Sequence, residues 1–186
     1  GMCIAGVFGG LKSGVKDSTK SIFLESAYFS ADAVRKTSLS HGLKTDASFR
    51  FERGTDPNMT VTALKACAIL IKELAGGEVS SEIVDIYSNP VEDFKVEVKY
   101  KNIDRLIGKK ISHVRIKEIL SDLEITVSNE SKEGFLCNVP PFRVDVQREA
   151  DIVEEILRIY GYNNVELEEN YGADYLAAFP TPDKDK

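Results

Sequence analysis

The chain has 186 residues, 42% of them hydrophobic, which is enough for one domain or two small ones with a core. Its formal net charge of −6 argues against non-specific nucleic-acid binding, which needs a basic face. Three widely spaced cysteines without a CxxC motif predict free thiols in a reducing compartment, and argue against a disulfide framework or a zinc site. No apolar run approaches the ~20 residues of a membrane-spanning helix, so we expect no membrane partner.

The first half of the chain predicts two strands and two helices. In chain order they are a buried strand over 2–8, a short strand over 21–24, a short helix over 31–37 and a long helix over 57–75. Asp56 suits the N-cap of the long helix and Pro57 its first turn, and Gly76 closes it.

Residues 41–57, between the two predicted helices, have an unusual composition. A polar run is followed by aromatic residues and arginines that interleave from Phe49 to Arg53. This alternation is too brief for a regular strand. We therefore predict a shaped loop that carries polar groups, and such loops often hold function.

The second half of the chain begins after a predicted linker, residues 85–93, which contains Pro90. The predicted elements are a strand over 95–100, a helix from Ser112 to about Leu123, a hairpin of 124–127 with 134–139, and a helix over 149–160 ended by Gly161. The mixture of helices and short strands predicts an α+β fold.

Four acidic residues near the last helix form a candidate metal site. Asp151, Glu154 and Glu155 share one helix face at i, i+3, i+4 spacing, and Asp145 lies on the loop before them. Carboxylates suit Mg²⁺. The alternative is an ordinary acidic first turn, which the helix dipole favours without any metal.

Glu25 follows an apolar segment, and two interpretations of it stay open. A buried carboxylate there would select a ligand hydroxyl, whereas a strand-end glutamate would only be solvated. The glycine-rich residues 6–10 predict a tight turn more than a phosphate cradle, because no Lys-Ser/Thr pair follows them. His41 and His113 are isolated, and no catalytic pairing of side chains is visible.

Five motifs together resemble the bacterial phenylalanine–tRNA ligase β chains. They are GVFGG at 6–10, FLESAYF at 23–29, HGLKTDASFRFERGTDP at 41–57, PPFRVD at 140–145 and EEILRIYGYNN at 154–164. The resemblance covers roughly residues 4–165. It implies an internal piece of a larger β chain. The start of the sequence inside an apolar segment suggests the same.

The resemblance also implies a domain organisation. Residues 1–90 would be the C-terminal part of a mixed-sheet domain that edits mischarged tRNA. Residues 91–165 would be a small α/β domain similar to winged-helix nucleic-acid-binding folds. Residues 166–186 do not follow the family pattern, and we expect a disordered tail there.

Roles for individual residues come from the same resemblance. Glu25 would recognise the hydroxyl of tyrosine wrongly attached to phenylalanine tRNA, Thr45 and Ala47 would line the editing pocket, and Gly9 would keep its wall small. The editing histidine of the family lies upstream of this chain, and His41 is not its counterpart. We therefore expect no catalytic residue here and an inactive isolated chain.

The resemblance assigns Mg²⁺ to Asp145, Asp151, Glu154 and Glu155, near a contact with the α subunit. It implies an α2β2 ligase in the cytoplasm that charges phenylalanine tRNA, with ATP as a substrate bound outside this chain. Two alternatives remain: a free-standing editing hydrolase, and a nucleic-acid- or partner-binding module without catalysis. The acidic last helix favours a subunit interface over direct nucleic-acid contact.

Overall fold

The computed structural model of the chain describes residues 1–166, and it confirms the α+β class. Its helices are α1 (Ala31–His41), α2 (Asp46–Phe51), α3 (Thr60–Ala75), α4 (Tyr100–Ile107), α5 (His113–Asp122) and α6 (Glu149–Tyr160), with 3₁₀ turns at Pro57–Met59 and Tyr162–Asn164. Its strands are β1 (Cys3–Ile4), β2 (Phe8–Gly9), β3 (Phe94–Lys99), β4 (Thr126–Ser128) and β5 (Gly134–Val139). No helix within residues 1–166 is long and apolar enough to cross a membrane. Of the predicted tail, residues 167–186 lie outside the described part.

The first segment of the chain is a hairpin, so the single buried strand predicted over 2–8 is wrong. β1 and β2 pair antiparallel, with Cys3 opposite Gly9. Gly6 has φ +69° and reverses the chain between them, and a Cβ there would lie 2.9 Å from the Phe29 ring. All strand pairs in residues 1–166 are antiparallel. The described sheet of the first part is therefore this hairpin alone, where a mixed sheet was expected.

The strand predicted over 21–24 is also absent from the structure. Residues 21–30 have no regular secondary structure, and the Phe23 side chain is almost fully exposed. A strand needs a neighbour for its backbone groups. No such neighbour lies beside this segment in the described part of the chain.

Residues 46–51 form helix α2, which corrects the loop predicted over 41–57. Thr45 is the N-cap, and Ser48 completes a reciprocal capping box with it. The Arg53 guanidinium lies 3.5 Å from the centroid of the Phe49 ring. The interleaved aromatic and arginine residues are therefore neighbours at helical spacing, not alternating strand positions.

Helices α1 and α3 confirm the two helices predicted in this half, and α1 runs further than expected, to His41. The Asp56 side chain accepts a hydrogen bond from the Asn58 amide, with Pro57 in the first turn as predicted. Along α3, Val61, Leu64, Ala68 and Ile71 recur at helical spacing and are half-buried, as is Thr60, while Ala75 is exposed. No residue of α3 is fully buried.

The second part of the chain contains nearly all of the core. A three-stranded sheet has the order β3–β5–β4, and α4, α5 and α6 complete the cluster of buried residues. All buried hydrophobic residues of the described chain except Val7 and Val34 lie between positions 96 and 156. β3, α5, the β4–β5 hairpin and α6 confirm their predictions, whereas α4 was not predicted.

Residues 77–93 contain no helix or strand, which agrees with the predicted linker at 85–93. Gly54 on the first side of this segment approaches Val144 on the second. A Cβ built on Gly54 would lie 2.5 Å from Val144 Cγ1, and the φ of Gly54 is +87°. The turn after α2 therefore packs against the loop before α6. The domain boundaries themselves stay a prediction.

Candidate functional site

An open groove of about 240 Å³ lies between the β1–β2 hairpin, the segment before α1, and helix α2. Its wall on one side is the hairpin, from Cys3 to Gly9. Phe29 and Phe51 also line it and meet edge to face, with ring centroids 4.9 Å apart. Ligand pockets generally span roughly 300–1,000 Å³. The smaller volume here suits a single amino acid side chain on an aromatic surface.

Three of the four residues predicted for the editing pocket line this groove: Gly9, Glu25 and Ala47. Glu25 is exposed, and its carboxylate has no hydrogen-bond or ion-pair partner within residues 1–166. An exposed carboxylate at the edge of a groove is free to accept a hydrogen bond from an occupant. Glu25 is therefore solvated in the structure, and it also lies beside an aromatic surface.

Gly9 and Ala47 are the small residues predicted for the pocket that line the groove. A Cβ built on Gly9 would meet no protein atom within 4 Å. Ala47 is exposed on α2. A larger side chain therefore fits at Gly9 without a clash, and the role of both residues in keeping the pocket wall small stays a prediction.

The fourth predicted residue, Thr45, lies behind the groove and is not among its lining residues. Its hydroxyl donates to the Val7 backbone carbonyl at 2.5 Å and accepts from the Ser48 amide at 3.1 Å. Thr45 therefore ties the turn of the hairpin to the N-terminus of α2. Its side chain shapes the groove from behind.

The sequence prediction missed several residues that build this site. Phe29 and Phe51 form its aromatic surface. Of the two buried polar residues, Ser48 lies next to Thr45 and Ser38 lies next to Ser48. A local signal for Ser48 was present, because Thr45-x-x-Ser48 has the spacing of a capping box. Nothing local points to Ser38.

A second groove, of about 330 Å³, lies between α5 and the edge strand β4. Lys117, Ser121, Glu124 and residues 125–127 line it. It contains none of the predicted site residues. The larger groove is therefore separate from the candidate site.

The predicted magnesium residues are not assembled as a ligand set. No group of three metal-binding side chains comes together within residues 1–166. Glu155 is paired with Arg143 at 3.2 Å and Arg158 at 2.6 Å. Asp145 and Glu154 are exposed. As arranged, this donor set does not fit a divalent cation.

Asp151 has its own cationic partner. Its Oδ1 accepts from Arg148 Nη2 at 2.9 Å, and its Oδ2 accepts from the Arg148 amide at 2.8 Å and the Gln147 amide at 3.1 Å. The Arg148 side-chain hydrogen bonds lower the pKa of Asp151, and the two backbone amides act in the same direction. Asp151 thus caps α6 as an ionised group whose oxygens are already engaged.

Two family profiles match the chain in order. The B3/4 domain matches residues 1–76, and the tRNA synthetase B5 domain matches residues 96–162. The phenylalanine–tRNA ligase beta subunit of Bacteroides fragilis is 58% identical over 166 residues, or 89% of this chain. The chain belongs to the phenylalanine–tRNA ligase beta subunit family.

Other members of this family give the same match. The beta subunits of Bacteroides thetaiotaomicron and Porphyromonas gingivalis are 56% and 48% identical over 166 residues, again 89% of this chain. In each case the chain spans only 20% of the relative's length. The family resemblance given by the five sequence motifs is confirmed, while the roles of individual residues stay predictions.

Proposed function

We propose that residues 1–76 contribute the hydroxyl-recognising part of an editing site, which removes tyrosine wrongly attached to phenylalanine tRNA. The observation that carries this proposal is the convergence of Gly9, Glu25 and Ala47 on one groove with an aromatic surface. Phenylalanine and tyrosine differ by one hydroxyl. The rings of both fit an aromatic surface, but only tyrosine donates a hydrogen bond to the Glu25 carboxylate.

The contribution of these residues is recognition more than bond cleavage. The ionisable side chains that line the groove, within the described residues, are Cys3 and Glu25. Glu25 accepts the tyrosine hydroxyl at the far end of the substrate from the ester bond. A further group that activates water for ester hydrolysis is therefore not among the described residues that line the groove. We therefore expect the isolated chain to bind a tyrosine ring without editing.

The proposed setting is a complete phenylalanine–tRNA ligase in the cytoplasm. The beta subunit would act with an α subunit that uses ATP to attach phenylalanine to its tRNA. The names of the relatives and the B5 domain match support this setting. Binding of Mg²⁺ by Asp145, Asp151, Glu154 and Glu155 stays a prediction, because Asp151 and Glu155 are paired with arginines in this structure.

The test is hydrolysis of tyrosine-charged phenylalanine tRNA by the full-length beta subunit in complex with its α partner. Glu25→Ala removes the acceptor. A hydrogen bond to a charged group contributes about 1.5–3 kcal/mol, so we expect tyrosine release to fall roughly 10- to 150-fold. Phenylalanine charging should stay at the wild-type rate.

The matched control is Glu78→Ala, which removes an exposed glutamate from the segment after α3. This variant should release tyrosine as the wild type does. Unchanged tyrosine release in Glu25→Ala would show that Glu25 is only a solvated surface residue, and the proposed recognition role would be wrong.

A further inference from the structure

Behind the candidate groove lie the two buried polar residues that the described chain contains, Ser38 and Ser48, each only 2% exposed. Both are serines, and they come from different helices. Buried hydroxyl groups are costly unless they are hydrogen-bonded. Ser48 contacts Thr45 and Ser38 contacts Ser48, and both lie outside the main core of the second part, which indicates a local role.

Three hydroxyl groups lie in a row that ends at the wall of the groove, and each donates to a backbone carbonyl. Ser38 Oγ donates to the Leu43 carbonyl at 2.6 Å, and lies 3.5 Å from Ser48 Oγ. Ser48 Oγ accepts from the Thr45 amide at 2.9 Å and donates to the Thr45 carbonyl at 3.0 Å. Thr45 Oγ1 in turn donates to the Val7 carbonyl.

The two ends of this row of hydroxyl groups belong to different structural elements. Ser38 lies in α1 and its acceptor Leu43 follows that helix, whereas Ser48 lies in the first turn of α2. Val7 lies in the turn of the hairpin and is 2% exposed. The Thr45–Val7 bond is the hydrogen bond in the described residues that joins the hairpin to α2. Its strength depends on the orientation of Thr45. The Ser48 amide donates to Thr45 Oγ1 at 3.1 Å, and the Ser48 hydroxyl bonds the Thr45 amide and carbonyl.

We propose that Ser48 is a positioning residue that sets the distance between the hairpin wall and α2, acting through Thr45. Ser48 does not line the groove. Its amide holds the Thr45 hydroxyl and its side chain holds the Thr45 backbone in the orientation that bonds Val7, and so they keep the Gly9 side of the groove at a fixed separation from Ala47 and Phe51. The effect on tyrosine discrimination rests on the proposed editing function, whereas the effect on the hairpin does not.

The reason for keeping the hairpin and α2 at a fixed separation is geometric. A hydroxyl–carboxylate hydrogen bond needs a separation of about 2.5–3.0 Å and weakens steeply outside it. A two-stranded hairpin is only marginally stable by itself. Without the Thr45 tether, the hairpin would fluctuate, and a substrate ring would no longer be held in one place relative to Glu25.

The test compares Thr45→Val and Ser48→Ala with Thr45→Ser, which keeps the hydroxyl, in the full-length beta subunit with its α partner. Ser40→Ala is the matched control, because Ser40 is an exposed residue of α1 that bonds only its own helix, at the Thr37 carbonyl. Hydrogen exchange of residues 3–9 is measured without substrate, with the amides of α6 as an internal reference.

We expect exchange of residues 3–9 to accelerate about ten-fold in Thr45→Val, because the tether is lost. We expect a smaller but measurable acceleration in Ser48→Ala, because the Thr45 backbone loses both of its bonds to the Ser48 hydroxyl. Exchange in Thr45→Ser and Ser40→Ala should stay near wild type, and α6 should be unaffected in all four variants. If Ser48→Ala does not fold, Thr45→Val provides the same comparison against Thr45→Ser.

The second measurement is the ratio of tyrosine to phenylalanine release from phenylalanine tRNA. The ratio should fall in Thr45→Val and return in Thr45→Ser. Unchanged exchange of residues 3–9, or an equal acceleration in α6, would overturn the positioning role. Accelerated exchange in a complex whose wild type releases no tyrosine would instead refute the editing function and leave the positioning role standing.

Discussion

Replacing Gly54 by alanine should destabilise the chain at the contact between its first and second parts. Two costs contribute. Gly54 has φ +87°, and an L residue in the left-handed region costs about 1–2 kcal/mol. The new Cβ would also lie 2.5 Å from Val144 Cγ1, and overpacking of this kind costs about 1–3 kcal/mol. We expect a total loss of about 2–5 kcal/mol in the free energy of unfolding.

The chain offers a matched control for the backbone cost alone. Gly42 has φ +64° at the end of α1, and a Cβ built there would meet nothing within 4 Å. Gly42→Ala should therefore cost only the ~1–2 kcal/mol of the left-handed conformation. The difference between the two variants isolates the contact with Val144.

Urea unfolding of the chain, followed by two spectroscopic probes, measures these losses. Adding Val144→Ala to Gly54→Ala should recover about 1–3 kcal/mol, because the methyl groups that overlap the new Cβ are removed. A Gly54→Ala loss equal to that of Gly42→Ala, or no recovery in the double variant, would refute the contact.

Two further predictions concern charge and burial in the second part. The chain alone should not saturate with Mg²⁺ at millimolar concentration in calorimetric titration, because the Arg148 side chain and the backbone amides of residues 147 and 148 already bind both Asp151 oxygens. Arg148→Gln should strengthen Mg²⁺ binding several-fold, whereas Arg115→Gln should not. Tight Mg²⁺ binding by the wild type, or equal effects of both variants, would contradict this reasoning. Burial raises the pKa of Cys137 to about 12, so its thiol should resist alkylation at pH 8 in the folded chain while Cys3 and Cys67 react. Because this pKa lies above the ordinary 9.0, the stability that the neutral thiol contributes is complete below pH 9 and is lost between pH 9 and 12. Unfolding measurements should show that the wild type loses more stability between pH 9 and 12 than Cys137→Ala does. An equal loss in both proteins would show that the thiol is accessible.

Local sequence signals were sufficient for most of the second part. Ser112 caps α5 as predicted, and α6 begins and ends where the periodicity and Gly161 indicate. Helix α4 was missed although its signal is present, since Tyr100, Ile103 and Ile107 recur at helical spacing before Gly108. That signal follows directly on a strand, and the change of period occurs without a loop between the two elements.

The first part was harder because its local signals are ambiguous. The apolar residues 2–8 have the composition of a strand, but Gly6 turns the chain, and this turn is favoured by the packing of Phe29 against the glycine. The aromatic and arginine residues of α2 have a pattern that also occurs in short strands. The capping box of Thr45 and Ser48 decides between the two by satisfying the amides of the first helical turn.

The sequence by itself determined the family, the α+β class and the helix boundaries that depend on caps and periodicity, and it predicted four residues of an editing pocket. Only the tertiary structure decided how these residues act. Gly9, Glu25 and Ala47 are far apart in the chain, and the hairpin, the preceding segment and α2 bring them to one groove. In the tertiary structure Thr45 also lies behind that groove, and Asp151 and Glu155 are paired with arginines. The physical reason is that caps and periodicity act between near neighbours, whereas a groove or a charge pair depends on which distant groups arrive at the same place.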